Sequence, residues 1–130
     1  MPDSLRVLIT NPTATKVIGC ALRVHRALGP GLFESIYEQC LAFELAEDGL
    51  AFERQVKLPV SYRGCRLEMS FTADFIVESC VLVELKSVER LLPIHGAQVL
   101  TYLRVSGLAK GLLINFNTRL LRNGIKSFVL

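Results

Sequence analysis

The chain has 130 residues, of which 51% are hydrophobic and 21% are charged, and its formal net charge is +3. This length accommodates one domain with a single core and excludes two ordinary domains. The composition excludes a disordered or low-complexity chain, and the small positive charge is far below that of a protein that coats nucleic acid.

Two helices are predicted before any strand. Residues 1 to 10 show no clear period and indicate a loose lead-in or short strand, so the single predicted domain spans residues 11 to 130. Asn11 followed by Pro12 is a typical helix start. The apolar face predicted for the first helix consists of Val17, Cys20, Ala21, Val24 and Leu28.

The second predicted helix begins near Leu32, after Gly29-Pro30-Gly31, and ends at Asp48-Gly49. At about 100° per residue, Glu34 falls inside its apolar arc and Glu38 at the edge. A carboxylate there is either functional or reaches past the core to solvent, and the sequence leaves both readings open. The predicted apolar arc consists of Phe33, Ile36, Tyr37, Cys40, Leu41 and Leu45.

The pattern changes to that of strands from Ala51. Phe52 to Tyr62 and Arg66 to Val77 are rich in β-branched and aromatic residues and flank Arg63-Gly64, which predicts a β-hairpin. Val81 to Lys86 is almost continuously apolar, as expected for a central strand covered on both faces.

The last third of the chain predicts one more helix and two more strands. Ile94 to Val105 has helical spacing, Lys110 to Phe116 is a short apolar strand, and Gly124 to Leu130 is a predicted edge strand. The predicted order is ααβββαββ, which is an α/β arrangement.

The cellular setting is predicted from several absences. No apolar run approaches the roughly 20 residues that span a bilayer, and Met1-Pro2-Asp3-Ser4 does not begin a secretion signal, so a cytoplasmic protein without a membrane partner is expected. The high apolar content also allows a homodimer. Irregular spacing predicts reduced, mostly buried thiols at Cys20, Cys40, Cys65 and Cys80.

The strongest candidates for chemistry lie in the second and third predicted strands, at Asp74 and at Glu84-Leu85-Lys86. Side chains alternate along a strand, so Glu84 and Lys86 share one face while Leu85 points to the other. If Asp74 lies alongside, two carboxylates and one ammonium converge, which suits phosphodiester hydrolysis with a hard divalent cation. Asp74, Glu84 and the Leu85 carbonyl would hold Mg²⁺ or Mn²⁺, and Lys86 would orient water or stabilise the transition state.

The alternative for this triplet is a surface ion pair between Glu84 and Lys86, worth about 0–1 kcal/mol. The strand, however, is too apolar to be a solvated edge. Its charged groups must therefore be paired, coordinated or facing a cavity, which favours a site.

The third predicted helix presents His95, Gln98 and Tyr102 on one face, where Gln98 and His95 would orient water or phosphate. A partly exposed histidine and a hydrogen-bonded tyrosine at the core margin explain the same spacing. His25 is predicted to be structural. The chain contains no GxxxxGKS, GxGxxG or HExxH motif, which disfavours nucleotide hydrolysis, dehydrogenation and zinc proteolysis.

The segment Gly31-Leu32-Phe33-Glu34-Ser35-Ile36-Tyr37 resembles the name-giving motif of the GxxExxY family, small bacterial and archaeal proteins of the PD-(D/E)xK nuclease superfamily. The likeness covers nearly everything after residue 10. It continues through Glu53-Arg54-Gln55-Val56, Ala73-Asp74-Phe75, Val83-Glu84-Leu85-Lys86, His95-Gly96-Ala97-Gln98 and Leu113-Ile114-Asn115-Phe116.

The resemblance implies a PD-(D/E)xK, restriction-endonuclease-like core with a mixed central sheet flanked by helices. It implies Asp74 and Glu84 as metal ligands, Lys86 as the catalytic lysine, Glu34 as a helix-borne carboxylate and Gln98 as a supporting polar residue. The expected catalytic set is Asp74, Glu84, Lys86, Glu34 and Gln98, and the expected ligands of Mg²⁺ or Mn²⁺ are Asp74, Glu84, Leu85 and Glu34.

The chain departs from this family at two places: Phe71-Thr72 stands where relatives often carry Tyr-Arg, and Gly96 where they often carry glutamate.

The function predicted is metal-dependent cleavage of DNA or RNA. The alternatives are a non-catalytic nucleic-acid-binding or regulatory module that keeps the fold, and a purely structural, self-associating domain. Candidate phosphate contacts are Lys57, Arg63, Arg66, Arg90, Lys110 and Arg119.

Overall fold

A computed structural model describes residues 11–130, in which three α-helices and five strands follow the predicted order ααβββαββ. The predicted lead-in at residues 1–10 lies outside the described residues. The helices are α1 (Pro12–Leu28), α2 (Glu34–Glu47) and α3 (Pro93–Ser106). The strands are β1 (Phe52–Tyr62), β2 (Cys65–Val77), β3 (Val81–Lys86), β4 (Lys110–Asn115) and β5 (Ile125–Val129).

The five strands form one mixed sheet in the order β1-β2-β3-β4-β5. Strands β3 and β4 are parallel and every other neighbouring pair is antiparallel. Helix α3 connects β3 to β4, because parallel neighbours need a crossover connection. The predicted central position of β3 and edge position of β5 are both confirmed.

Helices cover both faces of this sheet. On one face, α1 and α2 pack over a cluster that includes the fully buried Tyr37, Phe75 and Phe116. On the other face, α3 places Val99 and Leu103 in a second, smaller cluster. Strand β3 contributes alternate residues to the two clusters, which explains its nearly continuous apolar sequence.

Some details of burial differ from the sequence-based predictions. Phe33 and Ile36, placed in the apolar arc of α2, are 79% and 39% exposed. Phe33 precedes the first turn of the helix, because α2 begins only at Glu34. All four cysteines are free, as predicted, but only Cys20 is buried and Cys65 is exposed, so the prediction of mostly buried thiols was wrong.

Within residues 11–130, no helix combines the length and apolar character needed to cross a membrane.

The hairpin of β1 and β2 leaves the sheet at Asp74. Strand β2 pairs with β3 only from Phe75 to Val77, and its earlier residues pair with β1 alone. Phe75 packs in the cluster under α1 and α2, whereas Ala73 packs in the cluster under α3. Residues two apart in a regular strand share a face. The ribbon, which is the two-stranded part of the hairpin formed by β1 and β2, therefore turns over at Asp74, so that its side chains change face there.

Candidate active site

Asp74 and Glu84 lie where β2 separates from β3, one position beyond the last paired residues, Phe75 and Val83. The backbone N–H of Asp74 donates to Glu84 Oε1 at 3.0 Å, and the backbone N–H of Leu85 donates to Asp74 Oδ2 at 2.8 Å. The two carboxylates thus accept amide hydrogens that strand pairing no longer uses. Each carboxylate is held by the backbone of the opposite strand.

Both carboxyl groups are shifted toward the protonated form. Glu84 is only 8% exposed, and burial, followed by the charge of Asp74, raises its pKa to about 8. Burial also raises the pKa of Asp74. Two adjacent, desolvated carboxylates are costly to ionise without a compensating cation, and oxygen donors suit a hard divalent ion.

Lys86 provides the positive charge beside this pair. It lowers the pKa values of Glu84, Asp74 and Glu34 through its charge. Among the described residues, it forms no ion pair within 4.0 Å, so its ammonium group is not tied to one carboxylate. Its backbone is fixed at the end of β3, because the Lys86 carbonyl accepts a 2.9 Å hydrogen bond from the Phe116 N–H.

Asn115, which sequence reasoning did not single out for a role, fixes the segment after Lys86. The side chain is buried and bonds both polar groups of Val88: Oδ1 accepts from the Val88 N–H at 3.0 Å, and Nδ2 donates to the Val88 carbonyl at 2.9 Å. An asparagine inside the apolar run from Lys110 to Phe116 was the available signal, since a buried amide needs partners.

The segment containing Glu34 is positioned by its neighbours in the motif. Gly31 adopts φ 96°, a conformation that glycine takes without strain. The buried Tyr37 hydroxyl donates to the Gly29 carbonyl at 2.6 Å and accepts from the Leu32 N–H at 3.2 Å. The glycine and tyrosine of the motif therefore shape the turn from which Glu34 begins α2.

The same turn is tied to the end of β3, because the Ser87 hydroxyl donates to the Leu32 carbonyl at 2.6 Å. Glu34 is exposed as a residue, but partial desolvation of its carboxyl group raises its pKa and the charge of Lys86 opposes this shift. Glu34 thus lies within electrostatic range of Lys86 and Asp74, and the structure shows no direct bond between them.

The expected four-ligand metal site is only partly assembled. Within residues 11–130, no three His, Cys, Asp or Glu side chains are grouped closely enough to hold a metal ion. Asp74 and Glu84 are brought together, Leu85 contributes its N–H to Asp74, and Glu34 stays outside the group. This arrangement still fits Mg²⁺, which is often bound by one or two carboxylates with waters and substrate phosphates completing its shell.

A polar bridge links helix α2 to Asp74, and sequence reasoning missed it. The Gln55 side-chain amide donates to Glu38 Oε1 and, at 3.2 Å, to Asp74 Oδ1. The second oxygen of Glu38 pairs with Arg54 at 2.7 Å. The only signal in the sequence was the likeness at Glu53-Arg54-Gln55-Val56, which does not specify these contacts.

Gln98 is not in contact with the acidic pair. It is exposed and lines a shallow groove that includes Phe71 and Tyr102, and its side chain forms no hydrogen bond with another described residue. Tyr102 packs on Phe71 at 4.9 Å between ring centroids, and burial raises its pKa, with smaller contributions from Glu84 and Asp74. Tyr102 therefore lies within electrostatic range of the acidic pair.

Three other predictions for polar residues are settled by their contacts. His95 Nδ1 accepts from the Leu92 N–H at 2.9 Å and so caps α3, which matches the structural alternative. His25 is structural as predicted: it is buried, and its Nε2 lies 2.7 Å from the Thr118 carbonyl. Lys110 as a phosphate contact was wrong, because it is buried with Nζ donating to the Ser127 hydroxyl.

Comparison with known families agrees with this geometry. Residues 11–128 match a family model described as the PD-(D/E)XK nuclease superfamily. The chain belongs to the PD-(D/E)XK nuclease superfamily, whose members generally use divalent metals and whose name implies a nucleic-acid substrate. No curated protein and no solved structure gave a match. Membership of the GxxExxY family within the superfamily stays a prediction.

Proposed function

We propose that this protein hydrolyses phosphodiester bonds of DNA or RNA with the help of Mg²⁺ or Mn²⁺. The observation that carries the proposal is the pair of desolvated carboxylates, Asp74 and Glu84, each fixed by an opposing backbone amide beside Lys86. Such a pair attracts a hard cation, and the superfamily supports nucleic acid as the substrate.

In this proposal, each residue has a separate task. Asp74 and Glu84 supply the negative charge that binds the cation, which when bound polarises the phosphate and acidifies a water molecule. Lys86 stabilises negative charge that develops on the phosphate or orients the attacking water. Glu34 and the Leu85 carbonyl are proposed to complete the ligand shell, and Gln98 to contact the substrate from its groove.

The ribbon beyond Asp74 is the proposed surface for the phosphate backbone. Lys57, Arg63 and Arg66 are all exposed on it, and Glu68 is the acidic residue among residues 56–73. Because this ribbon leaves the sheet at Asp74, a strand of nucleic acid lying along it would pass the acidic pair. Basic contacts of this kind give affinity without sequence preference.

The experiment is a cleavage assay on single-stranded DNA, double-stranded DNA and RNA, with Mg²⁺, Mn²⁺ or a chelator. Cleavage is expected with either metal, and it should be abolished by the chelator and by Glu84→Gln. The Glu47→Gln variant is the matched control, because Glu47 is an exposed glutamate at the far end of α2. Full cleavage by Glu84→Gln protein would reject the assignment.

A second candidate function is a nucleic-acid-binding module without turnover. The observation in its favour is that Glu34 stays outside the carboxylate group, so the described residues supply only two close acidic ligands. Salt-dependent binding of DNA or RNA with no product in any metal would support this function in place of the nuclease.

A further inference from the structure

Gln55 has an unusual backbone conformation for its place in the fold. Among the described residues, four that are not glycine have positive φ: Gln55, Arg63, Glu78 and Ser79. The last three lie in turns that connect strands, whereas Gln55 lies inside β1, with φ 49°. A residue other than glycine rarely adopts this backbone conformation within a strand, and backbone strain of this kind is often located at functional sites.

The position of Gln55 is also the position at which the ribbon turns over. The pairs Arg54–Phe75 and Val56–Ala73 flank it in the register of β1 and β2, which places Gln55 opposite Asp74. The pairing on either side keeps one register, so no residue is inserted. The left-handed backbone at Gln55 therefore accompanies the change of face and directs its side chain toward the acidic pair.

The Gln55 amide donates a hydrogen bond to the second oxygen of the Asp74 carboxylate. Asp74 Oδ2 is held by the Leu85 N–H, and Oδ1 accepts from Gln55. The amide is held in turn by Glu38, whose other oxygen is paired with Arg54. Both oxygens of Asp74 are thus anchored, and each keeps a free lone pair for a cation.

On the basis of the proposed function, we infer that Gln55 is a positioning residue, whose side-chain amide holds the Asp74 carboxylate in the orientation that binds the cation. It does not touch the cation or the reacting phosphate. Outer partners of this kind commonly change metal affinity by about 10- to 100-fold when they are removed.

The test uses two variants that lose the amide but differ in backbone preference. Gln55→Met keeps the side-chain length and the unfavourable φ, whereas Gln55→Gly relieves the φ and so should be destabilised less than Gln55→Met. Both variants should bind Mn²⁺ about 10- to 100-fold more weakly by titration calorimetry. In cleavage assays, both should need more metal for the half-maximal rate, and saturating metal should restore most of kcat.

Two controls separate the amide from its surroundings. Gln39→Met removes an exposed amide from α2, and Ser79→Gly relieves a positive φ in the turn between β2 and β3. Both control proteins should bind Mn²⁺ as the original protein does. Unchanged Mn²⁺ affinity in either Gln55 variant would show that the amide does not position Asp74 and would overturn the inference.

A metal-free measurement separates failure of this inference from failure of the proposed function. A double-mutant cycle of Gln55→Met with Asp74→Ala, followed by urea unfolding in chelator, reports the coupling of the two side chains directly. Coupling without any Mn²⁺ binding by the original protein would reject the metal-dependent function and leave only a structural contact between the Gln55 amide and Asp74. Zero coupling would reject the positioning role whatever the metal does.

Discussion

The backbone N–H of Asp74 donates a 3.0 Å hydrogen bond to the Glu84 carboxylate, so two acidic residues from adjacent strands are held in contact although their charges repel. The 2.8 Å bond from the Leu85 N–H to Asp74 fixes the pair from the other strand. The arrangement is oriented before any ligand arrives, which reduces the reorganisation that cation binding requires.

The first prediction concerns pH. The pKa of Glu84 is raised from 4.5 to about 8, so the folded protein binds a proton that the unfolded chain releases. The contribution of the protonated Glu84 carboxyl group to the free energy of unfolding is complete below about pH 4.5 and is lost as the pH rises through about 8. In chelator, the free energy of unfolding should fall over this window, and urea denaturation at several pH values measures it.

The Glu84→Gln variant should remove most of this pH dependence, because an amide has no proton to release and still accepts the Asp74 N–H. Glu47→Gln should leave the dependence intact. Adding Mg²⁺ at pH 8 should raise the stability of the original protein, because the cation binds the ionised pair. An original protein whose stability does not change between pH 5 and pH 8 would contradict the burial of Glu84.

The second prediction separates the role of Lys86 from that of the carboxylates. Lys86→Met should lower the cleavage rate by roughly 10²–10³-fold, because a charge that stabilises the transition state is lost. Affinity for Mn²⁺ should not fall, since Lys86 repels a cation and is not a ligand. The matched control is Lys126→Met, which removes an exposed lysine from β5 and should change neither quantity.

The third prediction concerns the tyrosine of the motif. Tyr37→Phe keeps the stacking on Phe116, at 4.5 Å between ring centroids, but leaves the Gly29 carbonyl and the Leu32 N–H without their partner. The free energy of unfolding should fall by about 1–3 kcal/mol, as measured by urea denaturation. Tyr62→Phe is the control, because Tyr62 is 67% exposed and its change should have no effect. Equal stability of the two variants would argue against a structural role for the Tyr37 hydroxyl.

The fourth prediction compares two glycines. A Cβ at Gly124 would lie 2.3 Å from the Asn115 carbonyl oxygen, a backbone atom that cannot move aside, so Gly124→Ala should destabilise the protein by at least about 2 kcal/mol. A Cβ at Gly19 meets nothing within 4 Å inside α1, so Gly19→Ala should stabilise it by about 1 kcal/mol. Thermal unfolding measures both, and a stability loss in Gly19→Ala would contradict the open space beside α1.

The sequence predicted the elements because their signals are local. Helical spacing located α1 and α3, and continuous apolar character identified β3 as central. Alternation along β3 also placed Glu84 and Lys86 on one face, and their proximity to Asp74 needed only the pairing of β2 with β3. These parts of the site depend on periodicity and register, which a sequence displays.

The remaining parts depend on geometry that no local pattern encodes. The bridge from Glu38 through Gln55 to Asp74 requires a left-handed residue within a strand, for which glutamine gives no sign. The distance of Glu34 from the acidic pair depends on how α2 sits at the end of β3. The burial of Lys110 could not be predicted locally, and the partner of its ammonium group, the Ser127 hydroxyl, lies seventeen residues further along the chain.

The fork between β2 and β3 has a consequence for how this site could be lost during evolution. The carboxylates of Asp74 and Glu84 accept hydrogen bonds from backbone amides at the point where the pairing of β2 with β3 ends. They therefore oppose further backbone pairing between the two strands. Replacing both Asp74 and Glu84 with valine would remove the two charges and would favour an extension of the pairing between β2 and β3. Such a chain would keep its apolar core, but it would have no carboxylate left to bind a cation at the point where β2 now separates from β3.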